Sequence, residues 1–144
     1  MTPQEERNRE TVLKAIKALS DHDVEGFLSY HTEEATSLEP FFPDPVPVPR
    51  LRELLHEWLH TYPDAKIETQ VSFVEGDTVA VENVVTGTFM NDFMGQKATG
   101  KHYQTREAVF FELDNGKIKR ERIYIDQRSI EDQLGIYPGQ GAGI

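Results

Sequence analysis

The stretch KHYQTREAVFFELDNGKIKRERIYIDQRSIEDQLG, residues 101–135, decides the fold. On both sides of Asp114-Asn115-Gly116 its apolar and β-branched residues recur with period two, which predicts two long antiparallel strands joined by a hairpin. Two turns are compatible with it. A two-residue Asn115-Gly116 turn pairs Asp114 with Lys117 and sets Asp126 opposite Thr105, with Glu107 and Val109 on the same face. A three-residue Asp114-Asn115-Gly116 loop with a bulge at Gly116 sets Asp126 opposite Gln104, with Arg106 and Ala108 alongside. Asp-Asn-Gly suits a type I turn followed by a left-handed glycine. That favours the second register and gathers Gln104, Arg106, Arg122 and Tyr124 around Asp126.

Upstream, KIETQVSFVEG and DTVAVENVVTGTFM read as two further strands, separated by Glu75-Gly76-Asp77. The loop NDFMGQKATG connects them to residue 101. The first half of the chain is helical. Thr2-Pro3-Gln4-Glu5 is a capping box with proline at the first helical position, and Val12, Leu13, Ile16 and Leu19 follow at helical spacing to about Ser20. VEGFLSYH is a short second helix, ATSLEPF a short strand, and LRELLHEWLHTYPD a third helix stopped by Pro63. Between the last two, FFPDPVPVPR carries prolines at 40, 43, 45, 47 and 49 and is an extended surface loop, pinned by Phe41 and Phe42 or folded over a pocket as a lid. Helices first and an antiparallel meander after them give an α+β domain. Its strongly curved, cone-shaped sheet carries three N-terminal helices on the concave face. One domain is expected over residues 1–136, with 137–144 as a flexible tail.

Composition narrows the function. A net charge of −10 speaks against nucleic acid and anionic membranes as partners, and the absence of cysteine removes thiol chemistry. With no signal peptide or membrane span in sight, a soluble cytoplasmic protein is expected. His56-Glu57-Trp58-Leu59-His60 matches the H-E-x-x-H metal motif. However, Leu51, Leu54, Leu55, Trp58, Leu59 and Tyr62 cluster on one side of that helix, and both histidines fall roughly 130–170° away, toward solvent. No metal is expected there. His31 is placed to cap the second helix, and His102 begins a strand.

Asp126 is the acid that the alternation leaves unexplained. One reading makes it a base in an apolar pocket. The other makes it a cap for the last helix, where Ser129-Ile130-Glu131-Asp132 forms a capping box of its own.

A resemblance bears on this choice. Gly87-Thr88, Phe93-Met94-Gly95, Thr99-Gly100, Gly116-Lys117-Ile118, Asp126 and Gln133-Leu134-Gly135 stand at the spacings of the SnoaL-like polyketide cyclases. These belong to the ketosteroid isomerase-like, nuclear transport factor-like cone fold. Departures are Phe89 for a usual His, Asn91 for Gly and Ala98 for Pro. The resemblance implies a cofactor-independent enzyme acting on a carbon acid, by aldol-type cyclisation of a polyketide-like substrate or a related isomerase or hydrolase reaction. It gives Asp126 the acid/base role. Gln104, Arg106, Tyr124, Arg122, Trp58, Glu39, Phe89 and Phe93 would surround the pocket. It also implies a homodimer or higher homo-oligomer through the sheet's outer face, where Ile123 and Ile125 would be buried. A module that holds an apolar small molecule without turning it over is the alternative. Epoxide hydrolysis fits less well, because no Arg-x-Asp stands at the corresponding strand, and ketosteroid isomerisation lacks its acid and base pattern.

Overall fold

The computed structural model describes residues 1–136, so the expected tail at 137–144 lies outside the described residues. Helix α1, Pro3–Ser20, starts as its sequence predicts. Thr2 accepts from the Glu5 amide, and Glu5 accepts from the Thr2 amide. Its buried stripe is Asn8, Val12, Ala15, Ile16 and Leu19. Helix α2, Val24–Leu28, is capped by Asp23 and leads into strand β1, His31–Leu38.

The proline-rich segment is more regular than expected. Val46–Pro47 forms a two-residue strand, β2, on the edge of β1, and helix α3 begins at Val48 and runs to Thr61. Prolines suit this start because the first helical turn has no partners for its amides.

Strands β3 (Lys66–Glu75), β4 (Thr78–Thr88), β5 (His102–Asp114) and β6 (Lys117–Ile125) form the antiparallel meander. The sheet order is β2-β1-β6-β5-β4-β3, with β1 running parallel to β6. Helix α4, Gln127–Leu134, closes the described chain on a left-handed Gly135. The fold is thus the expected α+β cone, with a fourth helix after the sheet. No helix among the described residues is long and apolar enough to cross a membrane.

The hairpin register differs from the favoured one. Asp114 pairs with Lys117 across a two-residue turn in which Asn115 and Gly116 both have positive φ, at 50° and 82°. This is the backbone twist that matches two right-twisted strands, and Asn-Gly supplies it at little cost. The bulge lies further along: Leu113 pairs with Ile118 but Glu112 pairs with Arg120, leaving Lys119 extra. It exchanges the two faces of β6 from there on. A second bulge at Gln70 in β3 likewise turns Val71 and Phe73 outward.

The inner face of the sheet carries Val79, Val81, Val109, Phe111, Leu113 and Ile118, which pack on α1 and α2. Asn8 of α1 is fully buried there and donates to the Gly76 carbonyl at 3.3 Å and to Asp77 at 3.1 Å. Replacing it with alanine removes both bonds and leaves a void at a fully buried position. Asn8→Ala should therefore lower the unfolding free energy in urea by about 1–3 kcal/mol without changing the slope. A loss below about 0.5 kcal/mol would show that this clasp between helix and hairpin contributes little.

Candidate active site

Past the α1–α2 core the sheet and helices part, leaving a cavity of about 470 Å³. One wall is β5 and β6, whose inward positions include Tyr103, Thr105, Glu107, Glu121, Ile123 and Ile125. Trp58 and Tyr62 come from α3, and Phe89 and Phe93 from the loop after β4. Glu39, Phe41 and Phe42 stand where β1 runs into the proline segment. Phe42 packs against the main core and Phe41 stays exposed, so the segment is pinned and also borders the opening.

Four expected pocket residues therefore line the cavity: Trp58, Glu39, Phe89 and Phe93. Gln104, Arg106, Arg122 and Tyr124 do not. Gln104 and Arg106 alternate out of phase with the buried Tyr103, Thr105 and Val109. Arg106 lies 3.6 Å from Glu82 on the outer face, and Arg122 pairs with Glu112 and stacks over Phe110. Tyr124 is 53% exposed. The bulge at Lys119 is the cause for β6: without it Arg120, Arg122, Tyr124 and Asp126 would follow Ile118 inward. With it, Glu121, Ile123 and Ile125 do. Ile123 and Ile125 accordingly cannot serve an outer-face interface.

Asp126 is the main correction. It is exposed, does not border the cavity, and is the N-cap of α4, with Oδ1 accepting from the Ser129 amide at 3.1 Å. The helix begins before the expected capping box, so Ser129 is an internal first-turn residue. His56 and His60 face solvent, as the helical angles predict.

What the cavity holds instead is a group of carboxyls. Glu121, on β6, meets His31 at the head of β1, with Nε2 and Oε1 2.7 Å apart and side-chain exposures of 4% and 1%. His31 Nδ1 lies 3.1 Å from the Phe27 carbonyl. A carbonyl only accepts, so Nδ1 carries its hydrogen and the contact to Glu121 holds a further proton between ring and carboxyl. His31 thus caps α2 and also supplies Glu121 with a partner.

Glu107 accepts from the Asn83 amide at 3.0 Å, and Asn83 in turn accepts from Thr69 at 2.8 Å. Burial pushes the Glu107 carboxyl up, Asn83 works against this, and the charge of Glu121 adds to it. Glu39 accepts from the Ser37 hydroxyl at 2.6 Å. Burial, followed by the charge of Glu121, pushes its carboxyl from 4.5 up to about 7, with Glu107 adding to the rise. Burial also holds the phenols: Tyr62 is pushed up to about 12, and Tyr103 rises further although the Trp58 indole bonded to it works the other way. Both therefore remain hydrogen-bond donors at neutral pH. A base near neutrality in a cavity that buried phenols also line is the combination that proton abstraction and oxyanion stabilisation require.

Sequence reasoning missed Glu107 and Glu121 as site residues. The signal for Glu107 was present: Val109, Phe111 and Leu113 fix the inward phase of β5, and Glu107 shares it.

The sequence pattern of the SnoaL-like polyketide cyclase family matches residues 10–134. No curated protein matches the chain by sequence. Among solved structures, a candidate SnoaL-like polyketide cyclase from Jannaschia sp. CCS1 superposes with a TM-score of 0.83 at 20% identity, over 96% of this chain and 98% of that one. AclR, a candidate hydroxylase from Streptomyces galilaeus, gives 0.83 at 22% identity over 93% and 84%. A ketosteroid isomerase-like protein from Catenulispora acidiphila, in complex with trimethylamine, gives 0.76 at 14% over 95% and 96%.

Two measurements test the placement. Asp126→Ala should cost about 0.5–2 kcal/mol of stability through the lost cap, whereas Asp126→Asn, an equally good cap, should cost little. Equal losses would mean that the charge, not the cap, matters. Between about 4.5 and 7 the folded chain keeps a proton on Glu39 that the unfolded chain has released. The wild-type advantage from this residue therefore falls as pH rises through that window. The stability difference between wild type and Glu39→Gln should change by up to about 3 kcal/mol across it; a pH-independent difference would contradict the shift.

Proposed function

The chain belongs to the SnoaL-like polyketide cyclase family, and we propose that it is an acid/base enzyme of a carbon acid in which Glu39, not Asp126, is the base. The observation that carries this reading is a single carboxyl, pushed up to about 7, bordering an apolar cavity. A base with that affinity is half ionised near neutral pH and strong enough to take a proton flanked by two carbonyls.

In the proposed reaction Glu39 takes the acidic C–H proton and the electron pair moves onto the substrate's carbonyl oxygen. The Tyr103 hydroxyl is the donor available to that oxygen. The enolate carbon then bonds to a carbonyl carbon of the same molecule, and the proton held by Glu39 passes to the new alkoxide. Atoms and charge balance within the substrate and one carboxyl. The aromatic walls, Trp58, Phe89 and Phe93, favour a folded, polyketide-like chain and limit its freedom before closure.

Exchange of the acidic hydrogen for deuterium in a β-dicarbonyl compound, followed by NMR, isolates the first step. Wild type should accelerate it along a pH profile rising with a midpoint near 7. Glu39→Gln should lose about 10²–10⁴ of that rate, and Asp126→Asn should keep it. The reverse pattern would return the base to Asp126. Saturable binding of the compound without any exchange would mark a binding module.

A further inference from the structure

Three buried side-chain oxygens have no hydrogen-bond partner among the described residues: Glu131 Oε2, Gln127 Oε1 and Gln96 Oε1. All three are acceptors, and all three residues border the same cavity. Gln127 and Glu131 lie one turn apart on α4 and so share a face. Gln96 belongs to the loop whose Phe93 and Ala98 pack against the cluster that contains Ile130 and Leu134 of that helix. Glu131 is only 5% exposed, and a buried carboxyl oxygen without a donor is costly in an otherwise satisfied interior. Neither the reaction proposed above nor the helix itself uses it. The charges that raise Glu39 come from Glu121 and Glu107, and the one that raises Glu107 comes from Glu121; Glu131 contributes to neither, so this is a separate pole of the cavity.

We propose that Glu131, with Gln127 and Gln96, binds an ammonium group of the ligand, so that this enzyme acts on amine-bearing carbon acids. An alkylammonium brings up to three donors and a positive charge to three unpartnered acceptors. The rest of the cavity agrees in sign. Glu39, Glu57, Glu107, Glu121 and Glu131 border it, whereas Arg50 is the one lysine or arginine there among the described residues, and it is paired with Glu53 at 2.8 Å. A carboxylate-bearing ligand would meet like charge at both poles. The assignment rests on reading the cavity as the substrate site but not on the identity of the base.

Trp58 is the chain's only tryptophan and borders the cavity, so its fluorescence reports occupancy. The probes are aminoadamantane, adamantanol and adamantanecarboxylate, which share one apolar body and differ in charge. At neutral pH the amine should bind about tenfold tighter than the alcohol, and the carboxylate weakest. Glu131→Gln, which keeps the shape and removes the charge, should abolish the amine's advantage without weakening the alcohol, while Asp126→Asn, a change outside the cavity, should leave that advantage in place. Equal binding of amine and alcohol by wild type would overturn the assignment and leave the cavity as a ligand site. So would an advantage that survives Glu131→Gln or is lost in Asp126→Asn. Silence from all three probes would overturn both.

Discussion

A carboxyl facing an apolar hollow must be neutral, or have a cationic partner, or meet a dense set of donors. The inner face of β5 and β6, with the end of β1, brings three such groups together at Glu39, Glu107 and Glu121. Only Glu121 has a basic partner, His31, and that pair sits at the parallel seam of β1 and β6. Neither of the other two has such a partner, and burial raises the proton affinity of both. Glu107 is tied to Asn83, whereas Glu39 has one hydroxyl donor and stands where the walls open. The proton affinity on which the proposed chemistry relies is thus a property of the whole arrangement. It would change with the loss of Glu121 or Glu107 as well as with a change at Glu39 itself.

Much of this architecture could be read from the chain. Thr2, Pro3 and Glu5 fix the start of α1 through contacts within one turn, and the period-two runs fix four strands because one face of each is buried. The angles of α3 put Trp58 inside and His56 and His60 outside. The assignment of β6 failed for a local reason. Lys119 is an extra residue in the ladder, no glycine marks it, and a one-residue slip reverses every side chain beyond it. Ile118, Ile123 and Ile125 cannot share a face without such a slip, so their spacing held the clue. The proline segment failed differently: five prolines read as a loop, but two of them sit where a helix start needs no amide donor.

The cone fold does not determine the reaction, since a fold of this kind carries sites of differing chemistry. The similar structures include both a candidate cyclase and a candidate hydroxylase. The residues of this chain have to decide. Here Phe89 takes a position where the family usually has histidine and is buried beside Tyr62 and Tyr103, so that wall is aromatic. Asn91, in place of a glycine, donates to the His60 carbonyl at 2.7 Å and closes the end of α3. Neither substitution brings a titratable side chain to the cavity.

An NMR titration of the glutamate side-chain carboxyls, with Glu39 assigned by its absence in Glu39→Gln, tests the central claim most directly. A midpoint near 7 for that resonance agrees with a proton-holding carboxyl in the cavity. A midpoint near the ordinary 4.5 would contradict it and remove Glu39 as the base.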